Sequence, residues 1–199
     1  DFFEISRSID ANLNINTGLY SPGDSVLIDG DAALKSGKGL NGLIEVILFD
    51  NSSQKQALNN GSFSLNLSIP KDMPAGKQNI LVKIYDQDGD EIGNYIEISR
   101  SIEVKQVLTG ISLNSTLEEA SPGETYIFDL FLFDQAGNPI DLEVYLRYYD
   151  SNNNLFKEEL TRSGEKHFVT DYNYSAGYWK VEAKVQNLAE TLLFYMKEK

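Results

Sequence analysis

Three aspartates at alternate positions form the most metal-like pattern in the sequence: Asp86, Asp88 and Asp90. Carboxylates two residues apart can converge on a hard cation such as Ca²⁺, which takes about six to eight oxygen ligands. An EF-hand loop would need glycine where Glu91 stands, and strands rather than helices are predicted on both sides, over 79–85 and 94–102. The pattern therefore favours a polar hairpin tip that bends at Asp88-Gly89, with a calcium site as the alternative.

Alternating tyrosines in one predicted strand could bind a sugar. Tyr145 and Tyr149 flank Arg147 on one face of this strand, opposite the apolar side chains. Exposed aromatic rings stack on sugar faces, whereas buried rings fill cores. Trp179 belongs to the second class, because it lies in a strand whose apolar residues alternate with polar ones. A carbohydrate platform at Tyr145 and Tyr149 therefore stays open beside a purely structural role.

Five asparagines stand in the Asn-x-Ser/Thr acceptor pattern for N-linked glycans: Asn51, Asn60, Asn66, Asn114 and Asn173. A glycan is bulky and hydrated, so it fits only at surface positions. Asn51 and Asn60 fall in predicted turns, and Asn66 falls on the polar face of a predicted strand. The alternative is that a sequence rich in asparagine and serine produces such matches by composition.

The residues that most enzymes depend on are scarce. The chain has no cysteine, and its one histidine is His167, with Ser163 and Asp171 nearby in the sequence. A nucleophilic serine also needs a strained turn and a base oriented by a third group, and neither is indicated here. The sequence therefore predicts no catalytic residues and no enzyme activity, and no cofactor other than the possible calcium.

Charge and hydropathy exclude two further classes of partner. The net charge is −13, and the acidic residues are spread over the whole chain. Such a surface repels nucleic acid and anionic membranes. The longest apolar runs, 43–49 and 126–133, are too short for a transmembrane helix, which needs about 20 residues. We therefore expect no nucleic-acid partner and no membrane insertion by this segment.

A turn motif that recurs after 100 residues divides the chain into two parts. Ser21-Pro22-Gly23-Asp24 returns as Ser121-Pro122-Gly123-Glu124, and Leu13-Asn14 returns as Leu113-Asn114. Ordered landmarks at one spacing indicate an internal duplication. The sequence predicts two copies of one domain, at 10–104 and 105–199.

A second repeat concerns the beginning of the chain. Residues 4–9, Glu-Ile-Ser-Arg-Ser-Ile, are identical to residues 97–102. The second occurrence is the predicted closing strand of the first domain, so residues 1–9 are interpreted as the tail of a preceding repeat. They would then make the chain an excerpt from a longer array. The alternative is that they form an edge strand of the first domain itself.

Both parts consist of strands. In the segment 62–69 apolar and polar residues alternate with a period of two, and the segment 178–185 does the same. Such alternation indicates sheets with one face on a core and one in water. With about seven strands per domain and frequent turn signals, the predicted fold is all-β, two tandem immunoglobulin-like β-sandwich domains.

Each part has a set of turn and core motifs. They are Tyr20-Ser-Pro-Gly-Asp-x-Val26-x-Ile28-x-Gly30, Gly61-Ser-Phe63-Ser and Ala75-Gly76, with Phe133-Asp-x-x-Gly137-Asn-Pro-Ile140 and Ala176-Gly177-Tyr-Trp179-x-Val181 in the second part. These motifs resemble those of bacterial and archaeal Ig-like repeats of cell-surface proteins, of the Big type or the macroglobulin type. The resemblance implies spacers, adhesive modules or lattice units, because its motifs are turn and core positions without an active site.

Together these observations favour a non-enzymatic structural or interaction module of an extracellular or cell-surface protein, such as a stalk, adhesin or surface-lattice segment. Its expected partners are neighbouring domains of the same parent chain, further copies in self-assembly, a carbohydrate or another surface protein. Two alternatives remain open: a carbohydrate-binding accessory module of a larger secreted enzyme, and a fibre subunit. In the fibre subunit, the N-terminal strand would pair with the open sheet edge of a neighbouring copy.

Overall fold

The structure is a computed structural model, and it describes residues 8–48, 52–86 and 94–199. The chain divides into two compact units, Asp1–Gln106 and Val107–Lys199, which we call the first and second domains. All regular elements in the described residues are strands, so none of them is a helix that could cross a membrane. The predicted fold class, all-β with two tandem Ig-like sandwiches, is confirmed.

The described part of the first domain contains eight strands in two facing sheets. Its strands are β1 (Ile9–Ile15), β2 (Leu19–Tyr20), β3 (Ser25–Leu34), β4 (Gly42–Ile47), β5 (Ser53–Leu58), β6 (Ser62–Ser68), β7 (Gly76–Asp86) and β8 (Tyr95–Val104). One sheet has the order β1-β3-β6 and the other has the order β2-β8-β7-β4-β5. Pairing is antiparallel except where the two-residue strand β2 lies parallel to the end of β8. With β2, the described part of the first domain has one strand more than the seven predicted.

The second domain repeats this arrangement. Its strands are β9 (Leu108–Asn114), β10 (Glu119–Ala120), β11 (Thr125–Asp134), β12 (Val144–Tyr149), β13 (Leu155–Thr161), β14 (Gly164–Val169), β15 (Gly177–Val185) and β16 (Leu188–Met196). The three-stranded sheet has the order β14-β11-β9, and the five-stranded sheet has the order β10-β16-β15-β12-β13. Strand for strand, this is the topology of the first domain.

The two cores differ in composition although the strand order is the same. Among the described residues, the first core is built almost entirely from Ile, Leu and Val side chains, and Phe63 is the one buried ring in it. The second core is aromatic: Tyr126 stacks on Phe194 with ring centroids 4.0 Å apart, and Trp179 is buried among further rings. The Trp179 indole donates a hydrogen bond to the carbonyl of Ser175 at 2.9 Å, which satisfies its polar atom in the core.

The repeated Ser-Pro-Gly motif forms the same turn in both domains. The amide of Asp24 donates to the carbonyl of Ser21 at 3.0 Å, and the amide of Glu124 donates to that of Ser121 at 3.1 Å. The glycine between them has a φ of 87° in the first domain and 88° in the second. Because only glycine adopts this left-handed conformation at low cost, the motif keeps its glycine in both copies.

Candidate functional site

The five-stranded sheet of the second domain turns one face to its core and the other to solvent. On β12, Val144, Leu146 and Tyr148 are buried, while Tyr145, Arg147 and Tyr149 lie on the outer side. The antiparallel register places Lys184, Glu182 and Lys180 of β15 directly beside these three residues. We call this outer set of six side chains the tyrosine face. It brings the two predicted sugar-binding residues, Tyr145 and Tyr149, onto one surface.

Tyr149 is held by two neighbours on the tyrosine face. Its hydroxyl donates a hydrogen bond to the Glu182 carboxylate at 3.1 Å, and the Lys180 ammonium lies 3.9 Å from the centre of its ring. Partial burial and the adjacent Glu182 carboxylate both disfavour the phenolate, so the pKa of Tyr149 is raised. Because Lys180 covers one face of the ring by a cation–π contact, that face is closed to a stacking sugar.

Arg147 stands between the two tyrosines and is already paired. Its guanidinium bonds the carboxylate of Glu158 on the neighbouring strand β13. This hydrogen bond raises the pKa of Arg147 above its ordinary value, so the side chain is a permanent cation. The pair therefore joins β12 to β13 at the middle of the tyrosine face.

Tyr145 is the accessible member of the set. Its side chain is 51% exposed and borders a shallow depression at the end of β12. The depression is lined by Leu142, Glu143, Tyr145, Arg147, Lys184, Val185 and Gln186. An aromatic ring with carboxylate, amide and ammonium groups around it can stack on an apolar ring face while hydrogen-bonding hydroxyls. The structure thus offers one open ring rather than two.

The candidate glycosylation sites are exposed wherever the structure describes them. Asn60 occupies the tight β5–β6 turn with a φ of 55°, and Asn66 lies on the solvent face of β6. Asn114 ends β9, where its amide donates to the hydroxyl of Ser112 at 2.8 Å, and Asn173 lies in the loop before β15. Asn51 lies outside the described residues. Attachment at these asparagines stays a prediction.

The proposed calcium ligands are only partly described. Asp86 is the last residue of β7, where its amide donates to the carbonyl of Asn94 at 3.1 Å. Asp88 and Asp90 lie outside the described residues. Over the ranges 8–48, 52–86 and 94–199, no three acidic, histidine or cysteine side chains gather in a metal-binding arrangement. The calcium site therefore remains a prediction.

Two of the residues considered for nucleophilic catalysis, His167 and Ser163, are not bonded to each other. His167 lies on the solvent side of β14, and its Nε2 is 2.7 Å from the carboxylate of Glu165 two residues earlier. The hydroxyl of Ser163 is buried and forms no hydrogen bond with any described residue, so it is not bonded to His167. A hydrogen bond from the nucleophile to its base is the first requirement of a catalytic triad. These residues do not form one.

A polar triplet at the edge of the second core, formed by Tyr148, Glu159 and Lys157, was not anticipated from the sequence. Tyr148 is almost fully buried, and its hydroxyl donates to the Glu159 carboxylate at 2.7 Å; the Lys157 ammonium lies 2.6 Å from the same carboxylate. Burial, followed by the hydrogen bond to Glu159, raises the pKa of Tyr148 far above its ordinary range. Burial also raises the pKa of Glu159, but the bonds from Lys157 and Tyr148 outweigh it, so that pKa is lowered.

No family model and no curated protein matches the sequence. Solved structures similar to the chain include trypsin-activated alpha-2-macroglobulin from Escherichia coli, with 11% identity, a TM-score of 0.39 and coverage of 99% of this chain and 17% of the other. The Yersinia pseudotuberculosis adhesin InvE has 11% identity and a TM-score of 0.41, over 96% of this chain and 60% of the other. The titin domains Z1Z2 in complex with telethonin have 9% identity and a TM-score of 0.38, over 96% of each chain.

The chain thus spans about a sixth of the macroglobulin's length. With TM-scores of 0.38 to 0.41, these likenesses carry no information about activity. The Ig-like kind of domain is confirmed by the two pairs of sheets. Membership of the Big type or the macroglobulin type stays a prediction.

Proposed function

We propose that this chain is a non-enzymatic structural or interaction module of an extracellular or cell-surface protein, as a segment of a stalk, adhesin or surface lattice. The observation that carries the proposal is the duplication itself. The same sandwich occurs twice in succession, each copy has its own core, and residues 105–107 alone join the last strand of one to the first strand of the next. Repeating a self-contained domain adds length and surface without a reactive centre.

The pairing of polar surface groups with neighbouring carboxylates supports this proposal. His167 is engaged by Glu165, Arg147 by Glu158 and Tyr149 by Glu182. The last two pairs link side chains on neighbouring strands, which is how sheet surfaces are stabilised. Catalytic groups instead require a pKa matched to proton transfer near neutral pH, and raised pKa values at Arg147 and Tyr149 move these groups away from it.

The expected partners follow from charge and exposure. A net charge of −13 disfavours nucleic acid, so neighbouring domains of the parent chain or another surface protein are the proposed partners. The exposure of Asn60, Asn66, Asn114 and Asn173 supports an extracellular setting, because each could carry a glycan without disturbing a core.

The proposal is tested on the protein from its native source. Intact cells are treated with protease, and the chain is measured by intact mass and glycopeptide mapping. We expect release from intact cells and a mass above the 22.3 kDa of the bare chain, with glycans at exposed sequons. Asn66→Gln should remove one glycan, whereas Asn12→Gln, at an exposed asparagine outside any sequon, should remove none. Recovery only from the interior of lysed cells, with bare asparagines, would refute an extracellular role.

A second candidate function, carbohydrate binding, is supported by Tyr145 alone. Its ring is open and borders the depression that also presents Glu143, Lys184 and Gln186. Binding to a panel of insoluble polysaccharides should drop at least about five-fold in Tyr145→Ala, because aromatic stacking contributes about 1 kcal/mol or more. Tyr178→Ala is the matched control, since Tyr178 is 70% exposed on the same sheet but away from the depression. Equal losses in both variants, or no binding at all, would rule this function out.

A further inference from the structure

Strand β13 is an open edge of the second domain. It ends the order of the five-stranded sheet, and no described strand pairs with its far side. Its large apolar side chains are nevertheless exposed: Leu155 by 55%, Phe156 by 47% and Leu160 by 51%. An edge that combines free backbone groups with exposed apolar side chains is a template for pairing with another strand.

The first domain presents different side chains along the same edge. Its counterpart, β5, presents Ser53, Gln54, Lys55 and Gln56, all polar. At the ladder position where β13 places Leu160 beside Tyr145, β5 places Lys55 beside Glu45, and the two charges lie 3.2 Å apart. Charged side chains, especially lysine, are the usual protection of an edge strand. At this ladder position the two copies therefore differ: an ion pair occupies it in the first domain, and an exposed leucine occupies it in the second.

A β-bulge makes the order of charged and apolar side chains along β13 symmetric about Glu158. Tyr148 pairs with Lys157 and the next residue, Tyr149, pairs with Leu155, so Phe156 is an extra residue that occupies no ladder position of its own. Counted in ladder positions, Lys157 and Glu159 are one step from Glu158 on opposite sides. Leu155 and Leu160 are two steps from it, again on opposite sides.

From this arrangement we propose that β13 pairs antiparallel with β13 of a second copy of the chain, about a two-fold axis at Glu158. Such an axis places Lys157 of each copy opposite Glu159 of the other and, with Phe156 bulged out of this ladder as it is out of the ladder with β12, Leu155 opposite Leu160. Opposite charges and apolar side chains are the cross-strand pairs that stabilise sheets. The two five-stranded sheets become one continuous sheet, and exposed apolar surface is buried at the junction.

The residue on the axis is the one position where like groups would meet. There, each Glu158 is already bonded to Arg147 of its own chain, so each carboxylate carries a neutralising partner into the interface. A shift of the axis by one residue to Glu159 would bring two Glu159 carboxylates together and place Glu158 opposite Leu160. The charges thus favour the register at Glu158 over its neighbour. This pairing does not rest on the proposed function.

The experiment is sedimentation velocity of the full chain over a concentration series. We expect reversible association to a species of two 22.3 kDa chains. Leu160→Lys introduces the lysine that the first domain has at this ladder position and should weaken association about ten-fold, because two symmetry-related apolar pairs are lost. Leu193→Lys is the matched control: Leu193 is 59% exposed on β16 of the same sheet, away from the edge, and its variant should associate like the wild type.

A charge exchange tests whether Lys157 and Glu159 contribute to association. Lys157→Glu alone should weaken association by placing like charges opposite each other, and the double variant Lys157→Glu with Glu159→Lys should restore it, since the reciprocal pairs re-form. Trp179 fluorescence verifies that each variant is folded. A chain that stays monomeric throughout the series overturns the proposal. It is also overturned if Leu193→Lys disrupts association as much as Leu160→Lys, or if the double variant fails to restore it.

Discussion

Replacing Tyr148 with phenylalanine should destabilise the second domain by about 1.5 kcal/mol. The ring stays in place, so the variant removes only the hydroxyl that donates to Glu159 at 2.7 Å. A hydrogen bond to a charged group contributes about 1.5 to 3 kcal/mol, and the lower end applies because Glu159 keeps the Lys157 ammonium and is partly exposed to water. For a domain of this size the loss corresponds to a fall in Tm of about 8 °C.

The assay is urea unfolding followed by tryptophan fluorescence. Trp179 is the only tryptophan of the chain and is buried in the second core, so its emission reports on that domain. The control is Tyr145→Phe on the same strand, whose exposed hydroxyl should change the unfolding free energy by less than about 0.5 kcal/mol. If Tyr148→Phe and Tyr145→Phe unfold at the same urea concentration, the hydrogen bond to Glu159 does not contribute to the free energy of unfolding.

The stability that the Tyr148–Glu159 hydrogen bond contributes depends on pH. The pKa of Glu159 is lowered in the folded domain, so its ionised form stabilises the fold at pH values above the unfolded pKa. That stability is lost as the pH falls through the folded pKa. The difference between wild type and Tyr148→Phe should therefore shrink in acid. A difference that stays constant down to low pH would show that the ionised carboxylate is not the acceptor that matters.

Two further predictions concern the first domain. Gly61→Ala should cost about 3 kcal/mol, because its φ is 85° and a Cβ would lie 2.2 Å from a backbone carbonyl; Gly37→Ala, with a φ of 81° and no described atom within 4 Å of its Cβ, should cost only about 1 kcal/mol. Equal thermal shifts by circular dichroism would contradict this difference. Burial raises the pKa of Glu45, but hydrogen bonds from Lys55 and Tyr85 outweigh it and lower that pKa. Glu45→Gln should therefore reduce the loss of stability as the pH falls below Glu45's ordinary pKa, and an unchanged acid-unfolding curve would argue against this role.

Much of the fold could be predicted from local patterns. The alternation over β6 correctly placed Phe63, Leu65 and Leu67 in the core, since successive strand residues point to opposite faces. Asn60 was correctly placed in a turn, where Asn60 and Gly61 both adopt a positive φ. These features depend on neighbours in the chain, which a sequence displays directly.

Less of the candidate site could be predicted from local patterns. Alternation placed Tyr145 and Tyr149 on one face, but it predicted both equally as sugar-binding residues. The difference between them comes from Lys180, which is 31 residues beyond Tyr149 and reaches its ring only because β15 lies beside β12. Likewise, nothing in the local sequence indicates that Glu159 accepts a hydrogen bond from Tyr148 across the ladder.

The sequence by itself therefore determined the all-β class, the duplication, the buried face of each strand and the turns that join them, because periodicity and turn chemistry act over a few residues. Tertiary structure decided which strands became edges and which surface groups found partners. The order β10-β16-β15-β12-β13 leaves β13 open with Leu155 and Leu160 exposed, whereas residue pattern alone is compatible with a central or an edge position. Strand order is a property of pairings between distant segments, and the free energies that select it belong to those pairings.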